Sequence, residues 1–232
     1  MKPNSFILQR SISVCVFSAV CLARVHSSAY GSVDFENVPG FGVPVETMVI
    51  NNQYLPSEGM SFSMIAGQIP IIAQVGSPGY AFTGIGGADD LPAAGQGVGS
   101  FFLVANSPMQ LTSALLVGYS SPVNQAGGVI LDIDGAEAWL IQAFDSGFSV
   151  IDSVALNTSS FNAGDGLATA WSFTHGAADI AGVRITYTGS MAGGLGYAWD
   201  NFTTAVPEPS TAAMLVLGTC WLGVFRRRSI RR

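Results

Sequence analysis

Asp132, Asp134 and Glu137 stand close together in the run Leu131-Asp132-Ile133-Asp134-Gly135-Ala136-Glu137. The two aspartates alternate with apolar neighbours, a spacing that puts both carboxylates on one face of a strand. Such a group could hold a cation, or supply the acid and the base or nucleophile of a glycoside hydrolase. The plainer reading is a solvent-facing strand edge that closes in a tight turn. Trp139, Trp171, Tyr187, Tyr197 and Trp199 offer flat rings on which sugar rings could stack, although aromatic side chains more commonly fill a sandwich interior. His175, in Thr174-His175-Gly176, is the one histidine beyond residue 29. No Gly-x-Ser-x-Gly elbow accompanies it, and a single histidine does not make a His-rich zinc site. The constellation needed for nucleophilic catalysis is missing, so the expectation is a protein that is not an enzyme. A secreted hydrolase using paired carboxylates is the alternative.

Charge separates the chain into three parts. The whole carries nine Lys+Arg and fifteen Asp+Glu, a net charge of −6. Residues 30–205 hold one basic residue, Arg184, against fourteen acidic ones, a net charge of −13. Nucleic acid and anionic membrane surfaces both require Lys or Arg to replace their counterions, so neither suits this region as a partner. Divalent cations do suit it. Cys15, Cys21 and Cys220 all lie outside 30–205, which excludes a disulfide framework, a Cys-ligated zinc site and a cysteine nucleophile there.

The elements that must position these groups read as strands. Short stretches rich in Val, Ile and aromatics alternate with turn residues, the pattern of a sandwich or barrel. Strands are predicted at 32–36, 47–50, 60–64, 71–75, 100–105, 111–117, 128–133, 138–144, 149–156, 169–174, 182–188 and 197–202. Asp132-Ile133-Asp134-Gly135 and Asp145-Ser146-Gly147 are predicted hairpin turns, because Asp and Gly tolerate left-handed backbone. The glycine-rich segment 84–99 reads as a long surface loop. No strand-to-helix transition or lysine accompanies it, so it is not a phosphate cradle.

The two ends read as addresses. Lys2 and Arg10, the apolar run 11–23 and the small residues Ser27 and Ala29 form a secretory signal, with cleavage expected after Ala29. At the other end stand Val206-Pro207-Glu208-Pro209, sixteen mostly apolar residues at 210–225, and a cluster of five arginines. Sixteen helical residues reach about 24 Å, short of a hydrocarbon core of about 30 Å. Insertion then needs a snorkelling Arg226 and suits a temporary stop better than a permanent anchor.

This three-part tail resembles the PEP-CTERM sorting signal of Gram-negative bacteria. The resemblance implies recognition of Pro207, Glu208 and Pro209 by an exosortase, a membrane cysteine transpeptidase. The tail is then removed from an inner-membrane intermediate, and the product reaches the cell surface or the exopolysaccharide matrix. In the middle, "SVDFENV" (32–38), "INNQYLPSEGMSFS" (50–63), "IQAFDSGFSVIDSVAL" (141–156) and "GYAWDNFTT" (196–204) occur in that order. They resemble the first strand, a lead-in hairpin, a central hairpin and the last strand of carbohydrate-binding-module-like jelly rolls. That resemblance implies an all-β, jelly-roll-like β-sandwich over 30–205, between a signal peptide at 1–29 and a short transmembrane sorting helix within 206–232. It also implies that acidic groups on the adjacent first and last strands hold a structural Ca2+. The matching residues are Asp34, Glu36, Asp200 and Asn201, for which solvated strand ends are the other reading. Calcium requires six to eight oxygens, so backbone carbonyls and water would complete its shell. The combined expectation is an exported, non-catalytic surface or matrix protein that binds exopolysaccharide, with no sugar-contacting residue assigned.

Overall fold

The computed structural model describes residues 31–76, 92–107, 114–133, 136–157, 166–190 and 196–205. The export segment 1–29 and the sorting segment 206–232, with Pro207, Glu208 and Pro209, lie outside the described residues. Among those described, no helix is long and apolar enough to cross a membrane.

In chain order the described elements are β1 (Gly31–Val33), α1 (Leu55–Glu58), β2 (Met60–Met64), β3 (Pro70–Gln74), β4 (Phe101–Ala105), β5 (Ala114–Val123), β6 (Gln125–Leu131), β7 (Ala138–Phe144), β8 (Val150–Asn157), β9 (Ala168–Thr174), β10 (Ile180–Tyr187) and β11 (Ala198–Ala205). They form two sheets. One has the order β3-β4-β11-β6-β9, with β1 also paired to β11; the other has the order β2-β5-β10-β7-β8. Every strand pair is antiparallel. The fold is an all-β, jelly-roll-like β-sandwich.

Period-two alternation builds the core between the sheets. On β7, Trp139, Ile141 and Ala143 are buried while Leu140, Gln142 and Phe144 are half-buried. Phe35, Phe62 and Phe202 meet edge to face with centroids 5.1–6.0 Å apart. Trp139 meets Tyr197 at 4.9 Å and Trp199 at 5.9 Å. Contacts of this kind add about 0.5–1.5 kcal/mol each beyond the area they bury.

A second apolar cluster, containing Ile71, Ala73, Phe102, Val104, Leu131 and Ala198, lies on the far side of the six-stranded sheet. This explains why β4 is buried on both faces. Residues 92–99, the described end of the glycine-rich segment, cross that side. Val98 packs on the cluster, Gln96 Oε1 accepts from the Ala168 amide at 3.1 Å, and the Ala93 amide donates to Gly166 O.

Most predicted strands hold, although β5 runs six residues past its predicted end and the predicted residues 111–113 lie outside the described residues; four further differences have local causes. The first strand stops at Val33 because Phe35 turns the chain with φ 57°. Residues 47–50 make only an isolated bridge, Val49 to Ile71, yet they exchange backbone hydrogen bonds with Pro70 and Ile72 and so cover the free edge of β3. The expected lead-in hairpin is instead the single turn α1, opened by a proline in its first turn and closed by Gly59 at φ 68°. The expected hairpin at 132–135 is also corrected. β6 and β7 belong to different sheets, so no hairpin joins them, and Asp132 is in left-handed conformation at φ 60°. Asp145-Ser146-Gly147 does form a hairpin, between β7 and β8.

Candidate functional site

Asp200 is fully buried on β11, and its Oδ2 has no hydrogen-bond partner. Its Oδ1 accepts from the Asn201 amide at 2.7 Å. Burial, and then the charges of Asp34 and Glu36, push its carboxyl up to about 8 against the opposing pull of the Asn201 and Gly99 amides. Asp34 and Glu36, in the turn that follows β1, thus lie within electrostatic reach of Asp200 on β11. Their oxygens are partly engaged already. Asp34 Oδ1 accepts from the Glu36 amide at 3.2 Å, and Glu36 Oε1 accepts from the amides of Ser100 and Phe101. A Cβ at Gly99 would collide with the Glu36 carboxylate, so that residue must be glycine for the carboxylate to reach these amides. Asn201 Nδ2 donates to Gly97 O at 3.0 Å.

The chemistry of this group fits a hard cation: a buried, unpartnered carboxylate oxygen beside two further acidic side chains. Among the described residues, however, no three His, Cys, Asp or Glu side chains converge as a ready-made metal group. A calcium ion at Asp200 would have to draw most of its shell from backbone carbonyls and water.

The second acidic group is not the strand face its spacing predicts. β6 ends at Leu131, before Asp132, and Asp134 lies outside the described residues. Asp132 and Glu137 are 1 % and 3 % exposed, so they are not a solvated edge either. Asp132 Oδ1 accepts from the Gly166 amide at 2.8 Å, and its own amide donates to Leu167 O, tying the crossover to the start of β9. Among the aromatic candidates, Trp139, Trp171, Tyr197 and Trp199 are interior and Tyr187 is half-buried. The four interior rings are packing residues, closed to a sugar chain.

The open surface lies on the outward face of the five-stranded sheet, which carries a groove of about 420 Å³. That volume falls in the range of ligand sites, about 300–1,000 Å³. Strand register builds its floor. Ser61 lies opposite Gly118, Gly118 opposite Gly182, and Gly182 opposite Phe144, one lateral row across four strands. Leu116, Tyr119, Ser63, Ser120 and Ser121 continue the lining.

The β7–β8 hairpin forms one wall. Asp145 Oδ1 caps it by accepting from the amides of Gly147 and Ser149 at 2.8 and 2.9 Å. The left-handed position falls on Phe148, φ 61°, which throws that ring outward. Phe148 is 82 % exposed and stacks on Phe144 at 5.8 Å with planes 23° apart. Phe144 in turn closes over Gly182, its Cζ and Cε2 occupying the space a Cβ there would need. One row along the same face, Arg184 gives both Nε and Nη2 to Gln142 Oε1, at 3.2 and 2.6 Å.

None of these groove residues is assigned by motif. Two local cues exist in the sequence: the serine–apolar alternation Met60-Ser61-Phe62-Ser63-Met64, and an aromatic residue directly after an Asp-Ser-Gly turn.

No protein-family model matches the chain, and no curated protein does. Solved structures give likenesses of overall shape. The K2 cleaved adhesin domain of Lys-gingipain is 11 % identical with a TM-score of 0.44, over 77 % of this chain and 100 % of that one. A xylan-binding CBM22-1 domain from Paenibacillus barcinonensis is 10 % identical with a TM-score of 0.38, over 77 % and 94 %. A cyclase from Fischerella sp. is 11 % identical with a TM-score of 0.41, over 78 % and 98 %. At such identities and scores they carry no argument about ligand or activity.

Proposed function

We propose that this chain is an exported, non-catalytic protein of the cell surface or exopolysaccharide matrix that holds glycan chains in the groove of its five-stranded sheet. The observation that carries the reading is Phe148, a ring 82 % exposed at a hairpin tip and backed by Phe144. An aromatic platform left in water gains free energy from any apolar surface laid on it, and the C–H face of a sugar ring is such a surface. Beside the platform, the hydroxyls of Ser63, Ser120 and Ser121 can both donate to and accept from sugar hydroxyls, and that of Ser61, which donates to Gly118 O at 3.3 Å, can accept. The acidic groups do not favour hydrolysis. Asp132 and Glu137 are sealed from solvent, and Asp145 is committed to its own turn.

In this reading residues 1–29 direct export, and an exosortase recognises Pro207, Glu208 and Pro209 while 210–225 pause in the membrane. Asp200, Asp34, Glu36 and Asn201 would hold a structural calcium ion, which would supply charge compensation and no reaction chemistry. Glu208→Ala is expected to strand the protein in the inner membrane with Arg232 intact. Normal release of that variant would count against the sorting claim.

The groove itself is tested by screening the full chain, in detergent, on an array of neutral and acidic glycans. Wild type should retain at least one glycan without turnover, and Phe148→Ala should weaken that retention about tenfold, a loss of about 1.4 kcal/mol. Equal retention by the two proteins would remove the groove from the function.

A further inference from the structure

Both ring nitrogens of His175 face carboxylates. Nδ1 lies 2.7 Å from Asp179 Oδ1, and Nε2 lies 3.4 Å from Asp152 Oδ2. The imidazole side chain is 16 % exposed and the two carboxylate side chains about half. A neutral imidazole has one N–H, so one nitrogen would meet its carboxylate lone pair to lone pair. Only the imidazolium donates to both.

The three groups come from different places in the fold. His175 directly follows β9, an edge of the six-stranded sheet, and its amide is fixed by Asn124 O at 2.8 Å, just before β6. Asp179 lies in the turn before β10. Asp152 belongs to β8, an edge of the five-stranded sheet. Asp152 and Asp179 are the charged groups that meet the ring among the described residues. The contact therefore joins the edges of the two sheets along one side of the sandwich.

Its position on β8 is specific. The β7–β8 ladder runs regularly to Ala143–Asp152, then shifts so that Phe144 pairs with Val150. Asp152 stands at this irregularity, at the root of the hairpin that carries Phe148. A bulge leaves a residue unpaired and loosens the ladder, so a contact from outside has most influence there.

We propose that His175 is a pH-sensitive positioning residue for the groove: its imidazolium pins β8 at the bulge and so fixes the hairpin that presents Phe148. The inference rests on the glycan reading of the groove. The hydrogen bond that His175 donates to Asp179, then, with burial opposing, the one it donates to Asp152, raises the pKa of His175 above the ordinary histidine value of 6.5. The sign follows from the raised folded-state value. The attraction is present in full below the unfolded value and is lost as the pH rises through the folded one.

The test uses the isotope-labelled full chain in detergent micelles, titrated between about pH 5.5 and 8.5, the range over which histidine changes charge. The probes are cello-, xylo- and manno-hexaose, three neutral oligosaccharides. For those that bind, Kd should rise about two- to fivefold with pH in wild type, the range open to a partly exposed ion pair. The rise should vanish in His175→Gln. It should also vanish in Asp152→Asn, where the His175–Asp179 pair still titrates but no longer reaches β8. A flat wild-type Kd, or a pH dependence that survives in His175→Gln or in Asp152→Asn, overturns the proposal. If no hexaose binds, the glycan array decides the glycan reading separately and the Gly147 and Phe148 amide resonances decide the clasp. A pH-dependent shift lost in both variants supports it, and any other behaviour of those resonances overturns it.

Discussion

At position 182 the absence of a single carbon decides whether the groove keeps its wall. A Cβ there would stand 2.5 Å from Phe144 Cζ and 2.8 Å from Val117 O. The ring could swing away, but the carbonyl belongs to β5 and cannot move without disturbing the ladder. Gly182→Ala is therefore expected to cost about 1–3 kcal/mol of stability, the usual range for overpacking. It should also lift Phe144 and Phe148 together, which glycan retention and a thermal melt would record in parallel. Phe148→Ala should behave differently, losing retention while changing stability by no more than about 0.5 kcal/mol, because its ring is in solvent. Wild-type melting and retention in Gly182→Ala would mean that the close approach of Phe144 to position 182 is not a requirement.

At the scale of elements, β11 shows how one residue settles the use of a whole strand. Trp199 and Phe202 are three residues apart, so strict alternation would send them to opposite faces. Both are buried in the same core because the β11–β6 register shifts between Asp200 and Thr203, with Asn201 at φ 52°. Asp200, next to Trp199 and before the bulge, falls on the other side by ordinary alternation, within electrostatic reach of Asp34 and Glu36. Asn201→Val should cost about 1–2 kcal/mol, the penalty of left-handed backbone for a side chain that resists it. Asn201→Gly should be close to neutral in the same denaturant titration. The strands and the turn Asp145-Ser146-Gly147 were legible because Val, Ile and aromatic runs alternate with Asp, Gly and Pro. The crossover at 132–137 was not, since Asp-Ile-Asp-Gly says that the chain turns but not to which sheet it returns. The pairing of the first and last strands was legible only through the resemblance to a jelly roll. The groove was not, because Ser61, Gly118, Gly182 and Phe144 lie on four strands and meet only through long-range register.

For the whole molecule, one arginine among fourteen acidic residues at 30–205 makes self-repulsion a standing cost of the folded state. A cation that binds only the folded form adds about 2.7 kcal/mol at a hundredfold excess over its Kd. For a domain of this size that corresponds to about 5–10 °C in Tm. Calcium should produce such a rise, and sodium at equal ionic strength a smaller one, since sodium screens without matching calcium's coordination. Asp200→Ala should remove only the calcium-specific part. No calcium shift in wild type would end the metal proposal. The central claim, a glycan held on the outward face of the five-stranded sheet, is met most directly by amide hydrogen exchange on the full chain with and without a glycan that it retains. The account predicts added protection at Gly118–Ser121 and Phe144–Ser149, with the 92–99 segment over the six-stranded sheet unchanged. Protection confined to the 92–99 side, with the Phe148 hairpin exchanging as before, would contradict it.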